Sequence, residues 1–345
     1  MKAAVFEGIE KLVVTEVPTP EPDADSMLVK VHACAVCGSD VRIFHHGNPR
    51  LKPPQTPGHE IAGEIEAVGE NVAGFEPGER VAVGADVPCG VCEFCRAGLG
   101  NNCQINYAIG YQFPGGFAEY ILLNETTVKY GPIHKIPGDL SYEEACLAEP
   151  LACCLNGLEL TPVPAGGTVL IFGAGPVGIL IARLARHLGA ARVFVAEVSP
   201  SRAEQAKELA AGEVFPADEG LQERVLAETD GLGVDVALTA CPSPEAQMQA
   251  LRMVRSRGKV NFFGGLPKGT PPLTVDSNLV HYKEMLVTGS HGCVPRHHQA
   301  ALNLIAAGAI RVDDLITHRF PLDEVLAAFQ AAEDRAGLKA IVNPL

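Results

Sequence analysis

One stretch, residues 168–202, limits the possible folds more than any other: TVLIFGAGPVGILIARLARHLGAARVFVAEVSPSR. The apolar run Val169–Phe172 meets Gly173-Ala174-Gly175-Pro176-Val177-Gly178, after which Val177, Leu180, Ile181, Leu184 and Leu188 recur at helical spacing until Gly189. A second apolar run, Val193–Ala196, ends on Glu197. Strand, glycine turn, helix, strand and acid in this order predict a parallel βαβ unit with a dinucleotide at the turn. Gly173 makes the tight turn, Gly175 lets the backbone approach a pyrophosphate, and Gly178 allows close packing of helix on strand. Pro176 and Val177 open the helix, whose N-terminus carries free N–H groups and partial positive charge toward the phosphates. Glycine turns also occur without ligands. What separates this one is Glu197, nineteen residues past Gly178, placed to accept hydrogen bonds from an adenosine ribose. An acid there repels a 2′-phosphate, so NAD is expected over NADP, while the nearby Arg202 tolerates either.

The cysteines make a second constraint. The N-terminus, MKAAVFEGIEKLVV, alternates like a strand and has no signal-peptide core, so a cytoplasmic location is expected and a disulfide framework is not. Four of the 11 cysteines crowd into one lobe, Cys89-Gly-Val-Cys92-Glu-Phe-Cys95 followed by Cys103. Four thiolates at this spacing predict a closed, structural zinc site with no open position for catalysis.

At 345 residues the chain exceeds what one hydrophobic core usually supports, and two domains are expected. No apolar stretch approaches the roughly 20 residues of a membrane span. The net charge of −14 argues against nucleic acid or an anionic membrane surface as partner. Residues 1 to about 85 show short β-patterns punctuated by Pro and Gly, predicting a mostly antiparallel β domain. It carries Cys37-Gly38-Ser39-Asp40 just after a strand and Gly58-His59-Glu60 opening another. The stretch 140–160 reads as one helix and places Glu149 in an apolar segment, where an ionisable group is costly unless paired or metal-bound. Beyond the glycine turn the βα alternation continues: a helix over 201–211 started by Ser201 and Glu204, a strand over 234–240, a helix over 245–257, and strands over 259–263 and 285–290. Loops at the carboxyl ends of such strands line a cofactor cleft, which makes Gly264, Gly265, Leu266, Ser290 and His291 candidates by position.

Cys37, His59, Glu60 and Glu149 are the ionisable residues to bring together. Three ligands of N, S and O type leave an open zinc position, able to polarise an alcohol or carbonyl oxygen beside a nicotinamide. The hydroxyl of Ser39, two residues from Cys37, is placed to carry the proton outward.

With these motifs in view, the chain resembles the zinc-dependent medium-chain dehydrogenase/reductase family over essentially its whole length. Gly58-His59-Glu60, Gly63, Gly69 and Val72 match that family's zinc signature, and the cysteine lobe and glycine turn follow in the family's order. Cys37-Gly-Ser-Asp40 and Glu149-Pro150-Leu151 resemble the sorbitol (polyol) dehydrogenase branch. The resemblance implies an α/β protein. A GroES-like, mostly β catalytic domain would span 1–150 and 290–345, with the zinc lobe at 86–105, and a Rossmann doubly wound parallel sheet would span 151–289. It also implies two zinc ions, one structural and one catalytic, the latter held by Cys37, His59 and either Glu60 or Glu149. Cys153 and Cys154 are read as buried helix cysteines rather than ligands. Relatives pair through the edge strand of the Rossmann sheet, here near 285–290, which implies a homodimer or homotetramer.

Two departures bear on the substrate. Arg42 stands where relatives carry a histidine that ends a proton relay; a guanidinium stays protonated, so the relay is expected to finish at His45, His46 or water. Near Ser290-His291-Gly292 the arginine that orients sugar hydroxyls in many polyol dehydrogenases is missing. The expected substrate is a small polyhydroxy compound, such as a cyclitol, aminocyclitol or sugar, in a pocket lined by Ile43, Phe44 and Phe113. Threonine dehydrogenase is the rival activity, and a non-catalytic protein keeping the fold is the non-enzyme alternative.

Overall fold

The computed structural model describes residues 1–345, which form two compact units, 1–152 with 292–345, and 153–291. The chain passes between them inside the helix Ala148–Leu160 and again at His291/Gly292, about two residues later than expected at each crossing. No helix is long and apolar enough to cross a membrane.

The second unit is built on a six-stranded parallel sheet in the order Glu213–Pro216, Arg192–Glu197, Thr168–Phe172, Val234–Thr239, Val254–Phe262, Leu286–Gly289. The first strand in sequence lies third from one edge, and the chain winds outward from it in both directions, the doubly wound arrangement. Strands 169–172 and 193–196 are buried throughout, as parallel strands covered on both faces must be. Local chemistry moves several helix ends. The helix expected from Ser201 starts at Pro200, because proline suits the first helical position and Ser199 already caps Arg202 N–H with its side chain. The helix expected to reach Arg257 spans Pro244–Met253, and Val254 onward is strand.

The first unit holds a seven-stranded, mostly antiparallel sheet. Its central strand, Met27–Ala35, pairs on one side with Glu60–Val68. The other side is shared by Tyr120–Leu123 and by Lys339–Asn343 from the C-terminal segment. The returning segment also brings the strand Ile316–Pro321, parallel to Lys339–Asn343, and the helices Pro295–Ala306 and Val325–Glu333. Met27, Val29, Val31, Ile61, Ile65, Val81, Phe117 and Val342 form the core between these elements. The stretch 140–160 is two helices, Tyr142–Ala145 and Ala148–Leu160; the first is a separate turn closed by a reciprocal cap between Ser141 and Glu144.

Candidate active site

The cysteine lobe is closed at its base by the short antiparallel pair Asp86–Val87 and Tyr107–Ala108. Above it, Cys89, Cys92, Cys95 and Cys103 bring their sulfurs within 4.8 Å of one another. Cys92 Sγ lies 3.4 Å from Cys95 Sγ and 3.9 Å from Cys103 Sγ, and Cys89 Sγ lies 3.8 Å from Cys95 Sγ. A tetrahedron with Zn–S bonds of about 2.3 Å has S···S edges of about 3.8 Å, so the spacing fits zinc. Backbone N–H groups support thiolates here: those of Gln104 and Cys95 draw the Cys92 thiol down to about 6. At Cys103 burial opposes ionisation, but the amides of Asn106, Cys89 and Ile105 outweigh it.

A second cluster comes from three elements. Cys37 caps the helix Gly38–His46, and Asp40 closes the cap by accepting the Cys37 N–H at 2.9 Å. Register places Glu60 opposite Ala35, two residues before Cys37, so adjacent strands deliver Cys37 and His59-Glu60 to one spot. The turn into that strand needs Gly58: its φ is +96°, and a Cβ would stand 2.8 Å from Cys34 Sγ. Ligand atoms of Cys37, His59 and Glu60 all lie within 4.8 Å of one another. Ser39 Oγ lies 3.4 Å from His59 Nε2, while His59 Nδ1 faces Asp40 Oδ1 at 3.3 Å. Asp40 is thus placed to orient the imidazole, as carboxylates behind metal-binding histidines do. In the sequence Asp40 stands out only as the last residue of the Cys37-Gly38-Ser39-Asp40 motif.

Glu149 is not in this cluster of ligand atoms, but it is buried and its charge is felt by the same group. Burial, with the charges of Glu60 and Asp86 behind it, pushes its carboxyl up to about 7, although His59 pulls the other way. Lys339, which no local sequence motif marks, donates to Glu60 Oε1 at 2.6 Å and also to Oε2. It arrives from the last strand of the chain, 279 residues from its partner. Asp40, Glu60, Asp86 and Glu149 are all buried, and Lys339 is the one buried lysine. The surplus of negative charge suits a divalent cation. It also explains His59: burial disfavours the charged ring, yet Asp40 and Cys37 outweigh it and raise the imidazole well above its ordinary value. The donor set of thiol, imidazole and carboxylate is one that zinc takes with a position left open.

Several expectations around this cluster change. His45 is not free to end a relay, because its Nδ1 is 2.6 Å from Glu10 and its Nε2 is 3.0 Å from Glu333. Arg42 and His46 are exposed. Ile43 is core, Phe44 packs edge-on against Phe329, and Phe113 stacks on Tyr107, so all three are engaged in packing. The aromatic residue beside His59 is instead Tyr111, with ring centroids 5.9 Å apart.

In the second unit, the carboxyl ends of the parallel strands carry the cofactor candidates. Gly173 follows the strand Thr168–Phe172, Gly175 caps the helix Pro176–His187, and Pro176 and Val177 form its first turn. A Cβ on Gly178 would lie 1.9 Å from the Gly173 carbonyl, so only glycine fits the crossing. Glu197 is buried at the end of its strand and accepts N–H bonds from Ala174 at 2.7 Å and Ser199 at 2.9 Å. Its carboxylate therefore braces the glycine turn. The Arg202 guanidinium lies 3.0 Å from where a Gly175 Cβ would be, beside the same turn. Gly264 is held by its N–H to the Thr239 carbonyl at 2.6 Å; Gly265 is exposed and Leu266 half-buried. The Ser290 hydroxyl bonds Asn261 Oδ1 at 3.0 Å, and the His291 carbonyl accepts from Asn156 at 3.2 Å.

Two family models match the chain: the alcohol dehydrogenase GroES-like domain over residues 23–135 and the zinc-binding dehydrogenase over residues 176–307. A sorbitol dehydrogenase of Bombyx mori is 32% identical over 99% of this chain and 98% of its own. An L-threonine 3-dehydrogenase of Pyrococcus abyssi is 36% identical over 96% of this chain and 93% of its own. A protein from Sinorhizobium meliloti 1021, solved with NADP bound, superposes with a TM-score of 0.91 at 34% identity, covering 99% of both chains.

Proposed function

Since the chain belongs to the zinc-dependent medium-chain dehydrogenase/reductase family and is an enzyme of the alcohol dehydrogenase type, we propose that it oxidises a secondary alcohol of a polyol, cyclitol or sugar and passes the hydride to NAD. The observation that carries this reading is the convergence of Cys37, His59 and Glu60 beside the Ser39 hydroxyl. Cys37, His59 and one carboxylate would hold a catalytic zinc, and the four lobe cysteines a structural one. Bound there, zinc supplies Lewis-acid chemistry that lowers the pKa of a substrate hydroxyl. Ser39 takes the hydroxyl proton, and Asp40 holds the His59 ring in place. Either Glu60, which lies with Cys37 and His59 and is paired with Lys339, or Glu149, buried in the same electrostatic field, would supply the zinc-binding carboxylate. In the other unit the 173–178 turn and Glu197 would hold the dinucleotide. The exposed Leu286 on the edge strand Leu286–Gly289 supports a homodimer or homotetramer paired along that strand.

Oxidation of an amino alcohol is the second reading, favoured by the threonine dehydrogenase relative. The test is formation of reduced nicotinamide by zinc-loaded protein with sorbitol, xylitol, inositols, aminocyclitols, glucose or L-threonine, with NAD and with NADP, beside a His59→Ala control. Turnover of a hydroxyl-rich compound that the control lacks supports the first reading. Turnover of threonine alone replaces it with the second.

A further inference from the structure

Under the dinucleotide reading above, the strand order of the second unit separates the two halves of the ligand. Glu197, the ribose candidate, ends the strand Arg192–Glu197, and the 173–178 turn follows the neighbouring strand Thr168–Phe172. A ligand that crosses the carboxyl edge in that direction brings its second half over the ends of Val234–Thr239, Val254–Phe262 and Leu286–Gly289. Those ends continue directly from the turn. A Cβ on Gly173 would lie 3.2 Å from the Ala240 carbonyl oxygen, and one on Gly264 would lie 2.7 Å from that of Cys241. The Gly264 N–H also donates to the Thr239 carbonyl at 2.6 Å.

Backbone pairing between Val254–Phe262 and Leu286–Gly289 stops at Phe262 and Gly289, so the ladder does not hold Ser290. The side chain of Asn261 does. Parallel strands covered on both faces are ordinarily apolar, and a fully buried amide is tolerated there only when its hydrogen bonds are made. Here both ends of the amide are engaged. Asn261 Nδ2 donates to the Gly157 carbonyl at 2.9 Å and to Thr161 Oγ1 at 3.4 Å, and Oδ1 accepts from the Ser290 hydroxyl at 3.0 Å. The Gly157 carbonyl can only accept, which fixes the orientation of the amide and makes Ser290 the donor. Gly157 leaves room for this contact, since a Cβ there would stand 3.0 Å from the Phe263 ring and 3.3 Å from Ser290 Oγ. One residue earlier, Asn156 donates to the His291 carbonyl at 3.2 Å. The part of the helix Ala148–Leu160 that belongs to the second unit thus grips both strand ends, with Asn261 at the centre.

We propose that Asn261 is a positioning residue for the nicotinamide half of the cofactor. Its amide locks the segments that follow the last two strands, 263–265 and 290–291, onto the helix, and so sets the surface that receives that half. This rests on the reading of the 173–178 turn and Glu197 as a dinucleotide site. The adenosine half meets the strand Arg192–Glu197 and the glycine turn, on the far side of the point where the strand order reverses, and is indifferent to this amide.

The test compares a whole dinucleotide with one that lacks the nicotinamide. Zinc-loaded protein is titrated by calorimetry with NADH and with ADP-ribose, and in parallel with NADPH and 2′-phospho-ADP-ribose. Asn261→Leu keeps a side chain of similar size and removes the amide, while Ser290→Ala removes only the tie between the strand ends. Each should bind the whole dinucleotide about 3- to 10-fold more weakly, the worth of one or two hydrogen bonds, with affinity for the ADP-ribose ligand within about twofold. The double variant should lose no more than Asn261→Leu alone, because the Ser290 hydroxyl acts through that amide. Equal losses for both ligands make Asn261 a structural residue and overturn the proposal, and so does the absence of any loss. An additive loss in the double variant overturns it as well, by giving Ser290 a role independent of Asn261. If Asn261→Leu does not fold, Asn261→Val, smaller and suited to a strand, takes its place in the same comparison. If the unaltered chain binds none of the four ligands, the dinucleotide reading falls and takes the proposal with it, an outcome distinct from failure of the variants.

Discussion

Acid should weaken the first unit through one packed pair of histidines, His298 buried and His134 half-buried. His134, on the strand Ile133–Lys135, and His298, on the helix Pro295–Ala306, meet Nδ1 to Nδ1 at 2.9 Å with their rings stacked 5.1 Å apart. His298 is fully buried, and its Nε2 has no hydrogen-bond partner. Burial draws His134 down to about 4, and burial with the neighbouring ring draws His298 to about 3, both from 6.5. Both folded-state values lie below the unfolded one, so the unfolded chain binds these protons first. The pair's full contribution is present above about pH 7.5 and is lost as pH falls from 6.5 toward 4 and 3. At about pH 5 each ring has lost about 1.5 units at about 1.4 kcal/mol per unit, or about 2 kcal/mol each and about 4 kcal/mol together. The assay is urea unfolding of zinc-replete protein at about pH 7.5 and about pH 5, for the unaltered chain and for a His134→Leu/His298→Leu double variant. Whatever the variant's stability at neutral pH, its loss on acidification should be smaller by about 4 kcal/mol. Zinc release affects both proteins alike and cancels in the comparison. Equal losses in the two proteins would refute the reasoning.

Lys339→Met should cost about 3–5 kcal/mol in urea unfolding at neutral pH, because it strands the buried Glu60 carboxylate; a loss below about 1 kcal/mol would mean that Glu60 is protonated without its lysine. Cys92→Ser should remove one zinc per chain by metal analysis and lower the melting temperature. Zinc content equal to that of the unaltered chain would contradict the tetrahedral site. Gly178→Ala puts a methyl 1.9 Å from the Gly173 carbonyl. It should cost about 3 kcal/mol and abolish NAD binding by calorimetry while zinc content stays the same.

Local signals were enough for much of the fold. The apolar run, glycine turn and helical repeat at 169–188 specify strand, turn and helix through short-range sterics and periodicity, and the structure has them where they were expected. The cysteine spacing at 89–103 carries its own chemistry, and the four sulfurs do converge. Helix ends were less legible. Ser201 with Glu204 and Ser199 with Pro200 are competing start signals, and the structure shows that the second prevails. The fate of single polar side chains was not legible at all. Ser290, chosen for its place after a strand, spends its hydroxyl on Asn261, and His45 spends both nitrogens on carboxylates.

The sequence by itself determined the dinucleotide turn and the cysteine lobe, because each rests on neighbours within a few positions along the chain, and its length called for two domains. Tertiary structure decided which residues act together. It joined Cys37 to His59 and Glu60 by pairing two antiparallel strands, and it left Glu149 in the same electrostatic field but outside the ligand cluster. It also gave Glu60 a lysine from the last strand and placed Tyr111 against His59 from a loop tied down by Arg50. These contacts depend on strand register and on a C-terminal segment that returns to the first unit. Their energies come from burial and charge, which have no period along a sequence and exist only once distant residues share a low-dielectric space.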